Sequence, residues 1–280
     1  LYRCIMLFPN DGNTMIEDIM NIARKAGEIM SDRENLVIES KGTRENLATN
    51  ADYKVEKFLK KELMKLLPGS SFLGEEGGRD GEGRYEWIVD PIDGTANYAR
   101  DLRMSTVSIA LTDNDVPVIG LVYQPYTDEM FYAEKGKGAF FGDEKINVSD
   151  RPMANSMFCT SWSAYKKERA EMCFRISERL FPICEDIRRF GTAAYEMCLL
   201  AQGKIDIYYE AALQPWDFAA GALIVREAKG FIGSAEGNEG YDKEYSIIAS
   251  NNKENFDLLR SVVTEEMRRC FIYTPPCYHK

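Results

Sequence analysis

The sequence predicts a mixed α/β fold, two sheets layered with helices in one compact unit. Three features carry that expectation. The chain up to Pro68 has helix-period apolar patterning, a run of closely spaced period-two segments follows, and beyond about residue 150 strands and helices alternate. At 280 residues, 45% hydrophobic and 29% charged, it can bury a sizeable core.

Thr14-Met15-Ile16-Glu17 has the form of a capping box, after which Ile16, Ile19, Ala23, Ala26 and Met30 recur at helical spacing. The opening Leu1–Phe8 is too short and weakly patterned for a signal peptide, so residues 1–14 read as a loosely attached leader. Ser40 to Asn46 is polar and reads as a mobile loop. Thr49–Asp52 begins a second helix whose apolar face is Val55, Phe58, Leu59, Leu63 and Leu66, with Pro68-Gly69 as the stop. Strands are then predicted at Ser71–Leu73, Trp87–Val89, Val107–Leu111, Val118–Tyr123, Met130–Ala133 and Ala139–Phe141, spaced as an antiparallel meander. Strands near Phe158, Ile187, Ile205–Tyr209 and Ile247 interleave with helices around 167–180 and 192–202, from Asp217 to Lys229, and from Asn251 onward. The change of grammar divides the chain into residues 1–150 and 151–280, with no repeat, low-complexity tract or flexible linker between them.

The formal net charge of −10 argues against nucleic acid as the main partner. An acidic protein that handles anions supplies positive charge locally, and a bound metal does so. The seven cysteines form no CxxC pair and read as reduced thiols of a cytoplasmic protein. The sole histidine, His279, lies one residue from the end, which sets aside Ser-His-Asp, Cys-His and His-rich zinc chemistry. No apolar run approaches the ~20 residues of a membrane span.

The most informative stretch is Trp87-Ile88-Val89-Asp90-Pro91-Ile92-Asp93-Gly94-Thr95. An apolar strand ends in Asp90, Pro91 redirects the chain, and Asp93 follows so that both carboxylates can face one point. Gly94 and Thr95 then open a helix whose first amides offer an anion site. Taken alone, Asp-x-x-Asp-Gly is more often a capped surface turn. Two further acids change the weighing: Glu75, directly after a predicted strand, and Asp217, at a helix start in Pro215-Trp216-Asp217. Glu75 could equally be a solvated loop acid and Asp217 a plain N-cap. Four carboxylates brought together repel by roughly 4 kcal/mol per close pair at an effective dielectric of 20. Such a cluster needs bound cations or protons, and oxygen ligands without His or Cys select Mg²⁺ first, with Mn²⁺ or Ca²⁺ behind it.

With Gly74-Glu75-Glu76, Trp87 through Thr95, and Pro215-Trp216-Asp217-Phe218-Ala219-Ala220-Gly221, the chain resembles the inositol monophosphatase family. Lys41, Asp52, Gly191 through Cys198 and Tyr208-Tyr209-Glu210 extend the resemblance, which spans about residues 15–250 in order. It implies a layered αβαβα sandwich, a homodimer, and hydrolysis of a small phosphate monoester with two or three Mg²⁺ ions, inhibited by lithium. It also implies that Glu75, Asp90 and the Ile92 carbonyl hold one ion, and Asp90, Asp93 and Asp217 a second, with Glu75 helping a third. Asp52 and Thr95 would relay a proton from the attacking water, and the Gly94 and Thr95 amides would hold the phosphate. Ala193, Glu210, Asp93 and Asp217 match positions that contact the ring of the substrate, and Lys41 a loop that closes over it.

The preferred substrate is inositol 1-phosphate. Rivals are fructose 1,6-bisphosphate, histidinol phosphate and 3′-phosphoadenosine nucleotides, although nothing in the sequence stands out as a second phosphate clamp and the residues after Thr95 lack the nucleotide pattern. Another rival is a regulatory binding protein with incidental activity, which an Asp90→Asn variant that still rescues a deletion strain would favour. A structural Ca²⁺ site in an inactive homologue fits poorly with the presence of both Asp52 and Thr95.

Overall fold

The computed structural model describes residues 14–162, 164, 166–235 and 245–272. The leader, apart from Thr14, and His279 lie outside the described residues. The chain runs α1 (Met15–Ser31), β1 (Ile38–Ser40), β2 (Leu47–Thr49), α2 (Asn50–Leu66), β3 (Ser71–Gly74), β4 (Gly78–Asp80), β5 (Tyr85–Asp93), α3 (Thr95–Ala99) and β6 (Thr106–Asp113). It continues with β7 (Val116–Gln124), β8 (Glu129–Glu134), β9 (Gly138–Phe141), β10 (Glu144–Ile146), β11 (Met157–Ser161), α4 (Ala170–Leu180) and β12 (Asp186–Arg188). Last come α5 (Ala193–Ala201), β13 (Ile207–Leu213), α6 (Pro215–Glu227), β14 (Phe231–Ser234), β15 (Tyr245–Ser250) and α7 (Lys253–Ile272).

The capping box predicted at Thr14 forms, its amide donating to Glu17 at 2.7 Å, and the helix start read at Thr49 is a second such box, with the Thr49 amide donating to Asp52 at 2.7 Å. The apolar stripes of α1 and α2 lie on one face of an eight-stranded sheet of order β10-β9-β8-β7-β6-β5-β3-β4. Period-two alternation divides that sheet's side chains. Trp87, Val89, Ile109, Leu111 and Leu121 face α1 and α2, while Ile88, Ala110 and Val122 face α5 and α6. The five-stranded sheet, β12-β11-β13-β15-β14, repeats the rule. Cys159, Tyr208 and Ala249 pack toward α5 and α6, and Phe158, Ile207, Tyr209 and Ile248 toward α4 and α7. The result is the αβαβα sandwich.

The middle helices fit between two sheets because they are small where they touch. A Cβ on Gly120 of β7 would stand 2.7 Å from the Ala220 carbonyl of α6, and one on Gly221 would stand 2.9 Å from Met197 of α5.

The meander is antiparallel from β5 to β10, but β3 pairs parallel with β5, and β11 pairs parallel with both β12 and β13. The expected loop at 40–46 is closed by the β1–β2 ladder and a Lys41 amide bond to the Asn46 carbonyl at 2.7 Å. The last helix starts at Lys253 rather than Asn251, because the Asn252 side chain accepts the Asn255 amide at 2.9 Å and caps it. The helix expected from Asp217 begins two residues earlier, where Pro215 needs no amide partner.

Candidate active site

The strand expected to stop at Asp90 instead runs through Asp93, and this difference matters. In a regular strand, residues three apart point to opposite faces. Asp90 pairs with Ser108 and Asp93 with Thr106, so β5 advances three residues while β6 advances two. That bulge at Pro91 and Ile92 turns both carboxylates to one side. Gly94 follows in the left-handed region, with φ of 85°, and a Cβ there would meet the Thr192 hydroxyl at 2.9 Å. Thr95 then opens α3, a single turn of five residues, with its hydroxyl 3.1 Å from the Ile92 carbonyl and 3.3 Å from Asp52.

A cavity of about 170 Å³ opens at this turn. Glu75, Asp90, Ile92, Asp93, Gly94, Thr95, Ala193, Glu210 and Asp217 all line it. Asp52 and Lys41 do not; they reach it through the Thr95 hydroxyl and Glu75. The acids come from the turn after β3, the end of β5, β13 and the first turn of α6. Asp217 is the third helical residue, not the N-cap, and its carboxylate accepts the Gln214 amide at 2.6 Å.

The acids are partly satisfied by the protein itself. Asp93 accepts the Ala193 and Ala194 amides at 3.1 and 2.9 Å, and Asp90 accepts the Ile92 amide at 3.0 Å. Lys41 places its ammonium 2.9 Å from Glu75 and 2.5 Å from Glu76. Among the described residues, no group of three or more His, Cys, Asp or Glu side chains is set to hold a metal ion as it stands. The described carboxylates share one cavity, but Asp93 is turned onto α5 and Glu75 is drawn to Lys41.

Burial and mutual repulsion disfavour the charged forms of Asp90, Asp93, Asp217 and Glu210. Burial is the main cause of the high Asp90 carboxyl, with the charges of Glu75, Asp93 and Asp217 adding to it. Asp93 is pushed up to about 7 by burial and by the Glu196 charge, against the pull of the Ala193 and Ala194 amides. Asp217 is raised by burial, opposed by its bond from Gln214, and raised further by Glu75 and Asp93. Glu210 lies well above the ordinary range, through burial and then the Glu196 charge. Its carboxylate accepts the Tyr208 hydroxyl at 2.7 Å. Asp52 rises to about 6 by burial, opposed by the hydroxyl and amide of Thr49. Partial burial pulls Lys41 down, but its two glutamates hold the ammonium above its usual range.

Several supports were not apparent from the sequence. Glu56, one turn after Asp52 on α2, accepts the Glu76 and Gly77 amides at 2.8 and 2.7 Å and so shapes the turn that carries Glu75. Glu196, fully buried, accepts the Phe190 and Gly191 amides at 2.7 and 3.0 Å. Asn97 donates to the Met104 and Phe190 carbonyls at 2.9 and 2.8 Å, tying α3 to the segment before α5. The only hint of Glu56 was its four-residue spacing from Asp52 on a helix.

The pattern of the inositol monophosphatase family matches residues 11–268. The chain is 35% identical over 264 residues to a Xylella fastidiosa protein named Nus factor SuhB, covering 90% of this chain and 96% of that one. It is 35% identical over 244 residues to human inositol monophosphatase 1, covering 84% and 88%. The crystal structure of the extragenic suppressor protein suhB from Bartonella henselae superposes with a TM-score of 0.84 at 34% identity, covering 89% and 98%.

Proposed function

The chain belongs to the inositol monophosphatase family, and on that premise we propose that it hydrolyses a small polyol or sugar phosphate, inositol 1-phosphate first, with Mg²⁺. The observation that carries this reading is the convergence of Glu75, Asp90, Asp93 and Asp217, from three separate segments, on one cavity beside Gly94 and Thr95.

The donor set fits hard divalent cations: all donors are oxygen, and Asp90 and Asp217 are desolvated and raised further by their neighbours' charge. Glu75, Asp90 and the Ile92 carbonyl would hold one Mg²⁺, and Asp90, Asp93 and Asp217 a second, with Glu75 contributing to a third; Mn²⁺ would substitute. Bound there, the cations supply Lewis acidity to the attacking water and the leaving oxygen.

The remaining work belongs to the chain. The Thr95 hydroxyl, already donating toward Asp52 and Ile92, accepts a proton from the attacking water while passing its own to Asp52. Asp52 is ionised and able to receive it above about pH 6. The left-handed turn at Gly94 brings the backbone close to the phosphoryl group, where the Gly94 and Thr95 amides hold its oxygens. Ala193, Glu210, Asp93 and Asp217 form the wall that meets the polyol. Lys41 clamps the β1–β2 loop to Glu75 and Glu76, at the edge of the site. Two copies of the chain would form a homodimer in the cytoplasm. Among the described residues, no helix is long and apolar enough to cross a membrane.

A phosphate-release screen over inositol 1-phosphate, fructose 1,6-bisphosphate, histidinol phosphate and 3′-phosphoadenosine 5′-phosphate tests the reading. We expect Mg²⁺-dependent release, greatest from inositol 1-phosphate, lost on chelation and suppressed by lithium. A preference above about ten-fold for the nucleotide would overturn the substrate assignment. No release from any ester would overturn the activity.

A second reading has its own observation: five relatives carry the name Nus factor SuhB, which is not an enzyme's name. On that reading the chain is a binding protein with incidental catalysis, and its net charge of −10 favours a protein partner over nucleic acid. Rescue of a deletion strain by the inactive Asp90→Asn variant separates the two.

A further inference from the structure

We propose that Arg189 is a specificity determinant that binds a second anionic group on the substrate. The inference rests on the phosphatase reading and extends its substrate class, beside inositol 1-phosphate, to phosphate monoesters carrying another phosphoryl or carboxylate group.

The cavity is bordered by the carboxyl ends of the parallel strands β11 and β12 and by β13, where open α/β sheets present their ligands. Ser161 ends β11 and pairs in register with Glu210 of β13, while Arg189 directly follows β12. All three line the cavity, on the side contributed by the five-stranded sheet. Of the described residues lining it, Arg189 is the one cation among many acids.

An arginine facing acidic walls ordinarily pairs with one of them. Arg189 does not: among the described residues, no carboxylate lies within ion-pair distance of it. Its guanidinium instead rests over the Trp162 indole, 5.3 Å from the ring centroid. Glu210, the acid of the same wall, is bonded to Tyr208. The fork of donors on Arg189 is thus held at the cavity and left for a planar or tetrahedral oxyanion. Ser161 supplies an independent sign. It is 2% exposed, and its hydroxyl has no hydrogen-bond partner in the structure. Rotation about its Cα–Cβ bond offers that hydroxyl to an anion held by Arg189, satisfying a buried polar group that is otherwise costly. The acids of β5 and α6 are reserved for the cations that serve the reacting phosphoryl, so the Arg189 side addresses a different part of the substrate.

The test compares the full-length, Mg²⁺-loaded protein with Arg189→Gln and Arg189→Lys. The probes are two-anion esters (fructose 1,6-bisphosphate, 3-phosphoglycerate) and single-anion esters (inositol 1-phosphate, glycerol 2-phosphate). Arg189→Gln is expected to lower kcat/KM about ten-fold or more on at least one two-anion ester, mainly through KM, and to leave the single-anion esters within about two-fold. Arg189→Lys should keep much of the preference. Whichever two-anion ester loses most identifies the second anion as phosphoryl or carboxylate. Equal loss on all four esters, or no loss on both two-anion esters, overturns the proposal. Titration calorimetry with the same esters keeps the two readings distinguishable. If none is hydrolysed but the two-anion esters bind with an Arg189-dependent ten-fold advantage, the phosphatase reading fails and this one stands. No Arg189 effect on binding removes this one alone.

Discussion

Replacing Asp93 by Asn is expected to lower kcat on inositol 1-phosphate by about three orders of magnitude, with little loss of folded stability. Asp93 is nearly buried and sits between two requirements. It accepts the Ala193 and Ala194 amides, which fixes the start of α5, and it contributes charge to the proposed second cation. Losing a cation's Lewis acidity costs several kcal/mol of transition-state stabilisation, or about three decades at ~1.4 kcal/mol per decade. The structural cost is smaller. An Asn keeps one acceptor oxygen but presents an amine to the other backbone amide, a penalty of about 1–3 kcal/mol. Relief from the neighbouring charges, which help hold the Asp93 carboxyl near 7, offsets part of it. Steady-state turnover beside thermal unfolding separates the effects. Unchanged turnover would show that Asp93 holds no catalytic cation, and a collapse of Tm would show that its role is the α5 cap.

The metal-free protein is expected to lose stability as pH rises from about 4 to 8, and Mg²⁺ to restore it most at the alkaline end. The sign follows from the buried acids. Asp52 is held near 6, Asp93 near 7 and Glu76 near 7, all by burial first, whereas unfolded carboxyls titrate near 4. Between those limits the folded chain binds more protons than the unfolded chain, so stability falls with rising pH. Each full unit of upward shift is worth about 1.4 kcal/mol, so the shifts at Asp52 and Asp93 together remove several kcal/mol by pH 8. Glu76 adds less, because its environment is less dry. For a chain of this size 1 kcal/mol moves Tm by roughly 2–4 °C. The increment in Tm on adding millimolar Mg²⁺ should therefore be larger at pH 8 than at pH 5 by about 5 °C or more. An increment independent of pH would mean that cations do not replace protons at these acids.

The site's centre was legible because its grammar is local. Pro91 and Gly94 punctuate the segment, and Asp90 and Asp93 stand on either side of Pro91. Even so, the sequence suggested a turn where the structure builds a bulge, since a bulge is defined by the partner strand and not by β5 alone. The helices α1 and α2 were plain from their apolar stripes, each buried on one face. The strand order was less so. Trp87, Ile88 and Val89 are buried on both faces of their sheet, so no alternation marks which neighbours they take, and the parallel pairing with β3 left no trace in the pattern. Glu56, Glu196 and Arg189 read as ordinary charged residues of two helices and a loop. Their parts are set by which amides, rings and cavity walls the fold brings to them. The anion clamp we propose was invisible for the same reason: Ser161 and Arg189 reach one cavity only through strand order.

Crystals soaked in millimolar Mn²⁺ and inorganic phosphate, with anomalous difference density recorded at the manganese edge, test the central claim most directly. Density is predicted within about 2.5 Å of the Asp90 carboxylate, at ions shared with Glu75 on one side and with Asp93 and Asp217 on the other. Phosphate density should lie against Gly94 and Thr95. A cavity without manganese at Asp90, or manganese bound only at the protein surface, would contradict the account.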